Sequence, residues 1–365
     1  MTRFRTRRME PGDAPAFNDA YNSLGVAPFR PLEEMKRLWH GGPGGPVKSW
    51  IVEADDGAGW RLVGHHGLCP VRFTLGGQDL LFAKTVNSFL LPEFRNRFVY
   101  LRFEQRCLAE VEHEFDATYT LAELAAKMRA ALGYDTGILE LDFEQGLRAP
   151  AFLSRLVMRL AWRSTSVKSV LESSIKPLLE SSRHQRAAMR RNSNLVLTAL
   201  DGVSARGSPF FVKFWDEARL WAGLAPRRDN ADLTWRFWDA PDCRTTLTVA
   251  WPCGARGYGI VSSSDGLHFT LEDIFLSTPR TELLAELLES LLSWCADKGG
   301  LMVSFMTTAD SQTPEMLAVY RRKMGLNLSR HHRDQHVSRR LTALGRERIG
   351  PHWPPLNITA ITAIA

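Results

Sequence analysis

Apolar positions in this chain repeat every second residue in some stretches and every third or fourth in others, and each change of period marks an element boundary. The stretch 81–110 organises the rest. Leu81–Leu91 is rich in Val, Phe, Leu and Thr and predicts a buried strand. Pro92 has no N–H to give a ladder, so the strand ends there. After a short arginine-containing loop, Tyr100, Phe103, Cys107 and Val111 recur at helical spacing, with Leu101 and Leu108 beside them. A helix that starts in a basic loop leaves several backbone N–H groups free, which is the physical basis of an anion site.

The pattern extends to both sides. Residues 4–8 read as a first strand, Pro11-Gly12-Asp13 opens a helix through Phe17, Tyr21 and Leu24, and Phe29–Trp39 continues as helix. A Gly/Pro loop at His40–Pro46 precedes strands at Ser49–Glu53, Arg61–Cys69 and Val71–Thr74, with Gly76-Gly77 as a hairpin turn. Beyond the organising stretch come a short strand at Thr118–Thr120, a helix Leu121–Leu132 closed by Gly133, and a strand Ile138–Phe143 with Leu139, Leu141 and Phe143 on one face. Arginine-rich amphipathic segments follow, with Arg183, Arg186 and Arg190 on one helix side.

The second half repeats the order. It predicts a strand at Leu195–Ala199, a helix Phe210–Trp221, and strands at Thr245–Trp251, Gly257–Ser262 and His268–Leu276. A leucine-striped helix Glu282–Cys295, a strand Leu301–Met306, a helix from Pro314 to Gly325 and a last strand Arg330–Leu341 complete it. The chain thus reads as α/β (of the α+β kind), two domains each with a mixed central sheet flanked by helices. The expected divisions are 1–148, a basic helical connector 149–194, 195–345 and a tail 346–365.

Composition narrows the partners. A length of 365 residues suits two domains. The hydrophobic fraction of 44% and charged fraction of 24% are those of a globular protein, and no apolar run is long enough to cross a bilayer. No apolar stretch follows the basic MTRFRTRRM start, so a cytoplasmic location is expected. The cysteines are odd in number, scattered and without CxxC spacing, which favours reduced thiols. The net charge of +6 favours an anionic partner, but no signature of sequence-specific DNA binding is present. His331, His332 and His336 read as a solvated strand face, so no metal is expected. His65 and His66 read as structural.

This order of elements resembles the GNAT N-acyltransferase superfamily. The segment Pro92-Glu93-Phe94-Arg95-Asn96-Arg97-Phe98-Val99-Tyr100 is similar to its pyrophosphate loop, whose usual pattern is P-x-x-R-G-x-G-x-G/A. Lys127–Tyr134 is similar to its late "x-K-x-G-F" helix end, and the region around Trp235-Arg236 resembles tandem GNAT proteins. The resemblance implies an acyl-CoA donor held by Leu90, Leu91, Arg95, Asn96, Arg97, Phe98, Val99 and Tyr100. It implies a small-molecule amine, amino sugar or amino acid as acceptor, attacked directly in a ternary complex. This chain departs from the pattern because Asn96, Phe98 and Tyr100 stand where glycine belongs, and a Cβ holds the backbone away from a phosphate. An acyl carrier protein or a charged tRNA as donor, and a non-catalytic binding scaffold, therefore stay open as readings.

Such a reaction needs a base for the ammonium proton and a donor to the leaving thiolate. Glu272 and Asp273 are the base candidates. Strand alternation puts Asp273 with Phe269, Leu271 and Phe275, an apolar setting of the kind that tunes carboxylates. The competing reading pairs Asp273 with an arginine such as Arg236. Tyr320, just ahead of Gly325, stands close to where the family keeps the tyrosine that protonates the sulfur. In the second half Ser277 or Thr278 is expected to cap the helix with Pro279 at its first position.

Overall fold

Strand β1 (Arg3–Arg8) pairs antiparallel with β2 (Lys48–Asp55), β2 with β3 (Trp60–Leu75), and β3 with β4 (Gln78–Leu90). Between β1 and β2 lie helices α1 (Ala14–Ser23) and α2 (Leu32–His40). This computed structural model describes residues 2–25, 31–95, 97–120, 129–147, 195, 197–239, 244–308, 314–326 and 336–353. The expected connector, most of the Leu121–Leu132 helix, and His331 and His332 lie outside them.

The β3–β4 hairpin turns on Gly76 and Gly77, whose φ of +55° and +86° fit the two central positions of a type I′ turn. β3 runs unbroken through Pro70, where the sequence suggested two strands. β2 ends with Lys48 opposite Leu68, so the N–H that Pro70 lacks is not needed by that ladder. Helix α3 (Arg97–Ala109) packs Phe103 and Cys107 against the sheet residues Trp50, Val63 and Ala83, and starts one turn earlier than the apolar spacing suggested. Burying a side chain such as Phe103 contributes about 1.5–3 kcal/mol. On the other face Phe17 of α1 packs on Phe89 and on the His65 ring, 4.5 Å away. After α3 the chain enters β5 (Ala117–Thr120), parallel to β4.

The sixth strand of this sheet is β14 (His336–Leu341), from the far end of the chain, antiparallel to β5. Meanwhile β6 (Asp135–Gly146) pairs antiparallel with β12 (Met302–Thr308). The chain therefore divides into one unit of Met1–Ile138 with Gln335–Pro354 and another of Leu139–Asp334. β14, from the end of the chain, thus belongs to the first sheet, and β6, from its first half, to the second.

In the second unit β7 (Thr198–Leu200) is followed by α4 (Gly202–Arg206), α5 (Phe210–Ala218), the two-residue strand β8 (Ala225–Pro226) and α6 (Asn230–Leu233). Trp235-Arg236-Phe237 lies in a π-helical turn, Thr234–Trp238. Then come β9 (Arg244–Ala250), β10 (Arg256–Ser262) and β11 (His268–Leu276), the helix α7 (Thr281–Asp297), β12, α8 (Pro314–Lys323) and the short β13 (Gly325–Leu326) on β6. The leucine stripe of α7 is buried, and it comes so close to β10 that a Cβ on Gly259 would lie 2.5 Å from Leu291.

The two sheets share one plan. In order they are β1-β2-β3-β4-β5-β14 and β7-β9-β10-β11-β12-β6, with one parallel pair each, β4 with β5 and β11 with β12. Helices α3 and α7 make the corresponding crossovers. Helix α9 (Ala343–Ile349) closes the described chain, and no helix among the described residues is long and apolar enough to cross a membrane.

Candidate active site

The described parallel pair of the first unit forms a fork with one long arm and one short. β4 and β5 are paired from Phe82 with Ala117 to Lys84 with Tyr119, yet β4 runs on to Leu90. Past its last residue paired with β5, β4 carries a bulge: Asn87 and Ser88 together stand opposite the single residue His66. Asn87 has φ +50°, the one positive value on a non-glycine among the described residues, and its carbonyl lies 2.8 Å from His65 Nδ1. A bulge increases local twist and turns the strand away from its neighbour. The second unit does the same. β11 and β12 are paired from His268 to Leu271, and a bulge at Glu272 follows at once.

Beyond the first fork, Leu91 still gives its N–H to Val63, and Pro92–Phe94 form a single 3-10 turn. Arg95 Nε donates to the Leu90 carbonyl at 3.2 Å, folding its guanidinium back over the strand end. Helix α3 starts at Arg97, so its first N–H groups point out of the helix at this junction. Leu90, Leu91 and Val99 pack into the core beneath, and Tyr100 is half-buried. Asn96 and the side chains of Arg97 and Phe98 lie outside the described residues.

Polar side chains that periodicity passes over span this fork. Ser88 shares a 3.0 Å hydrogen bond with His66 Nδ1 and another with the Tyr100 hydroxyl. One turn further along α3 is Glu104, fully buried, which accepts from Arg129 Nε at 3.3 Å. Arg129 Nη1 reaches Thr120 Oγ1 on the opposite arm at 2.8 Å, and Thr118 bonds Tyr134 at 3.1 Å. The result is an arc from His66 through Ser88, Tyr100, Glu104 and Arg129 to Thr120. Among the described residues Glu104 Oε2 and His66 Nε2 are buried with no hydrogen-bond partner. Burial, with Glu104 adding to it, raises the pKa of both Tyr100 and Tyr134. The one sequence signal for this arc is Glu104 itself, a carboxylate inside the apolar stripe of α3.

Burial pushes both His65 and His66 down to about 3. An unfolded histidine ionises near 6.5, so each contributes full stability above that pH and loses it as pH falls from 6.5 toward 3. Unfolding free energy is expected to drop by about 1.4 kcal/mol per pH unit for each histidine across that window. Urea titrations of the protein and of His65→Asn at several pH values check this, the variant showing the shallower slope.

The second unit holds the other candidates, Glu272, Asp273 and Tyr320. Asp273 is fully buried between Arg228, whose Nε and Nη2 lie 3.0 and 3.3 Å from its oxygens, and Tyr258, whose hydroxyl donates at 2.5 Å. Its arginine is thus Arg228 and not Arg236, which contacts Asp232 and the Arg227 carbonyl. Burial opposes the Arg228 charge, but Asp273 outweighs it and the guanidinium pKa rises. The expected face is also corrected. The bulge at Glu272 reverses the alternation, so Phe269 and Leu271 join one core layer while Phe275 joins Tyr258 in another. Glu272, half-buried at the bulge, accepts from Ser262 at 2.6 Å. Tyr320 is buried against Phe305 and Phe143, ring centroids 4.9 and 5.8 Å away. Helix α7 starts at Thr281 with Arg280 as its cap and no side-chain cap bond. Ser277, expected to cap it, instead accepts from the Arg256 N–H at 2.9 Å. No group of three or more potential metal ligands occurs among the described residues.

No protein-family model matches the chain, and no curated protein matches its sequence. Solved structures do match. A protein of Enterococcus faecalis V583 described as a probable N-acyltransferase is 11% identical, with TM-score 0.61 over 94% of this chain and 74% of that one. The Saccharomyces cerevisiae N-myristoyltransferase with bound myristoyl-CoA is 9% identical, with TM-score 0.52 over 96% and 84%. A tandem GNAT protein from the clavulanic acid biosynthesis pathway is 12% identical, with TM-score 0.50 over 93% and 99%. At these identities the likeness is one of fold. The two mixed sheets flanked by helices are similar in fold to those proteins.

Proposed function

We propose that this protein is an N-acyltransferase, moving an acyl group from an acyl-CoA to the amine of a small molecule by direct attack in a ternary complex. The observation that carries the reading is the first unit's fork. β4 runs on past its pairing with β5 through a bulge, and the start of a 13-residue helix stands at the end of this longer arm. Freed strand edges offer hydrogen bonds to an extended amide-bearing chain, and a helix start favours a phosphate. Acyl transfer in the myristoyl-CoA-bound fold relative supports the same donor class. Leu90, Leu91, Arg95, Asn96, Arg97, Phe98, Val99 and Tyr100 would hold the donor, Arg95 and Arg97 supplying charge-assisted contacts. The second unit lends weaker support: Asp273 has both oxygens engaged, which leaves Glu272 the freer carboxylate there and Tyr320 a core residue.

Thermal unfolding with acetyl-CoA, longer acyl-CoAs and free CoA tests the reading. A ligand at a hundred times its Kd stabilises by about 2.7 kcal/mol, an unmistakable shift. No shift with any of them at millimolar concentration would sink the CoA-dependent function and favour a binding scaffold. Phe98→Gly provides a directional check. Removing the ring from the loop is expected to tighten CoA binding by about tenfold, roughly 1.4 kcal/mol, read by calorimetry.

A further inference from the structure

We infer that His65 is a positioning residue for the acyl donor: it pins the β4 bulge that decides which side chains of the strand end face helix α3. The inference rests on the acyl-transfer reading and adds a residue to its donor side. Three observations carry it.

The first is the bond itself. The Asn87 carbonyl can only accept, so His65 Nδ1, 2.8 Å away, carries the proton and donates it. Asn87 is a residue of the bulge, and its φ of +50° is left-handed backbone that any residue with a side chain adopts at a cost. The bond to its carbonyl offsets that cost. The second observation is the fit of the ring. His65 is fully buried, T-shaped against Phe17 at 4.5 Å and stacked on Phe89 at 6.2 Å. Gly67 leaves room for it, since a Cβ there would lie 3.0 Å from His65 Cε1 and 2.9 Å from the Val86 carbonyl oxygen. Packed in this way, the ring keeps its donor on one acceptor.

The third is what the bulge does to the strand. One extra residue reverses the alternation of every side chain beyond it. Before the bulge the odd-numbered Leu81 and Ala83 pack in the core layer beneath α3. After it the even-numbered Leu90 does so, while Phe89 packs on Phe17. Leu91 then gives its N–H to the Val63 carbonyl at 2.8 Å, and Pro92–Phe94 lead to the start of α3. With a regular strand in place of the bulge, Phe89 would turn beneath α3 and Leu90 toward Phe17. The segment proposed to hold the donor, from Leu90 to Tyr100, would then lose its present orientation. His65 acts on the donor through this strand end.

Calorimetry of the full chain with acetyl-CoA is the test. His65→Leu keeps most of the ring's apolar packing and removes the donor, and its Kd for acetyl-CoA is expected to rise about fivefold, the worth of one hydrogen bond. His65→Asn puts an amide N–H close to the Nδ1 position and should stay within about twofold of the unmodified protein, although it fills the site less well. A residue that only packs would give the opposite order, with His65→Leu binding better than His65→Asn. A second pair works from the backbone. Asn87→Val, β-branched and strained at φ +50°, should weaken binding as His65→Leu does, and Asn87→Gly should not. An unchanged Kd in His65→Leu, or equal losses in His65→Leu and His65→Asn, overturns the proposal. If His65→Leu does not fold, the second pair decides, and equal binding by Asn87→Val and Asn87→Gly overturns it. If acetyl-CoA does not bind the unmodified protein, the donor reading falls by itself. Hydrogen exchange at the Leu91 amide then decides whether His65 holds the strand end. Protection lost in His65→Leu and kept in His65→Asn upholds that role, and equal protection in the two overturns it.

Discussion

Asp273→Asn is expected to destabilise the second unit by about 3–5 kcal/mol, because it leaves the buried Arg228 charge without its counterion. Arg228 and Asp273 are both fully buried, joined by two hydrogen bonds. Arg228 also donates to the Pro226 carbonyl at 3.0 Å and lies over the Phe275 ring at 4.1 Å. It therefore cannot swing to solvent when Asp273 loses its charge. Tyr258→Phe removes only the 2.5 Å hydroxyl donor and should cost less, about 1.5–3 kcal/mol for a bond to a charged group. The paired replacement Asp273→Leu with Arg228→Met should recover most of the loss, since an apolar pair needs no counterion. Urea unfolding of the four proteins gives the comparison. Acyl transfer lost in Asp273→Asn with stability unchanged would instead mark Asp273 as the catalytic base.

This pair also illustrates what the sequence could and could not disclose. Alternation along HFTLEDIF reads correctly up to Leu271 and fails at Glu272, because the extra residue of a bulge has no signature in apolar periodicity. The same holds at Asn87 and Ser88. Both bulges lie on a strand of a parallel pair, just past its paired stretch, and the pattern misses them. The strands and helices themselves were legible, Phe103, Cys107 and Val111 being spaced as a buried helix face must be. The strand exchange was not legible, since periodicity along one segment says nothing about which sheet receives it. Nor was the polar arc, whose members come from β3, β4, α3, β5 and the segment around Arg129. Of these only Glu104 stands out locally, as a charge in an apolar stripe.

Ending the chain before His336 is expected to abolish folding of the first unit, some 200 residues away in sequence. β14 is the antiparallel partner of β5 from Ser338 with Thr120 to Leu341 with Ala117, so its loss turns a four-residue buried strand into an open edge. The following helix adds ties of its own. Thr342 Oγ1 donates to the carbonyls of Phe115 and Asp116 and caps α9 through the Gly345 N–H. Arg348 reaches both oxygens of the fully buried Asp116 at 3.0 Å, and removing it leaves that carboxylate the Leu81 N–H at 2.7 Å, at a cost of about 1.5–3 kcal/mol. The fit is tight enough that a Cβ on Gly345 would come within 1.7 Å of the Asp116 carbonyl oxygen, so Gly345→Ala should act as a milder form of the truncation. Because β5 is one arm of the fork and Thr120 anchors Arg129, acyl-CoA protection should vanish with it. Hydrogen exchange is the measurement. The truncated chain should lose amide protection across Leu80–Lys84 and Ala117–Thr120, and a peptide spanning 336–353 added in trans should restore part of it by pairing along β5. Native-like protection of those strands without residues 336–353 would mean that the exchanged strand is dispensable and that the first half folds on its own contacts.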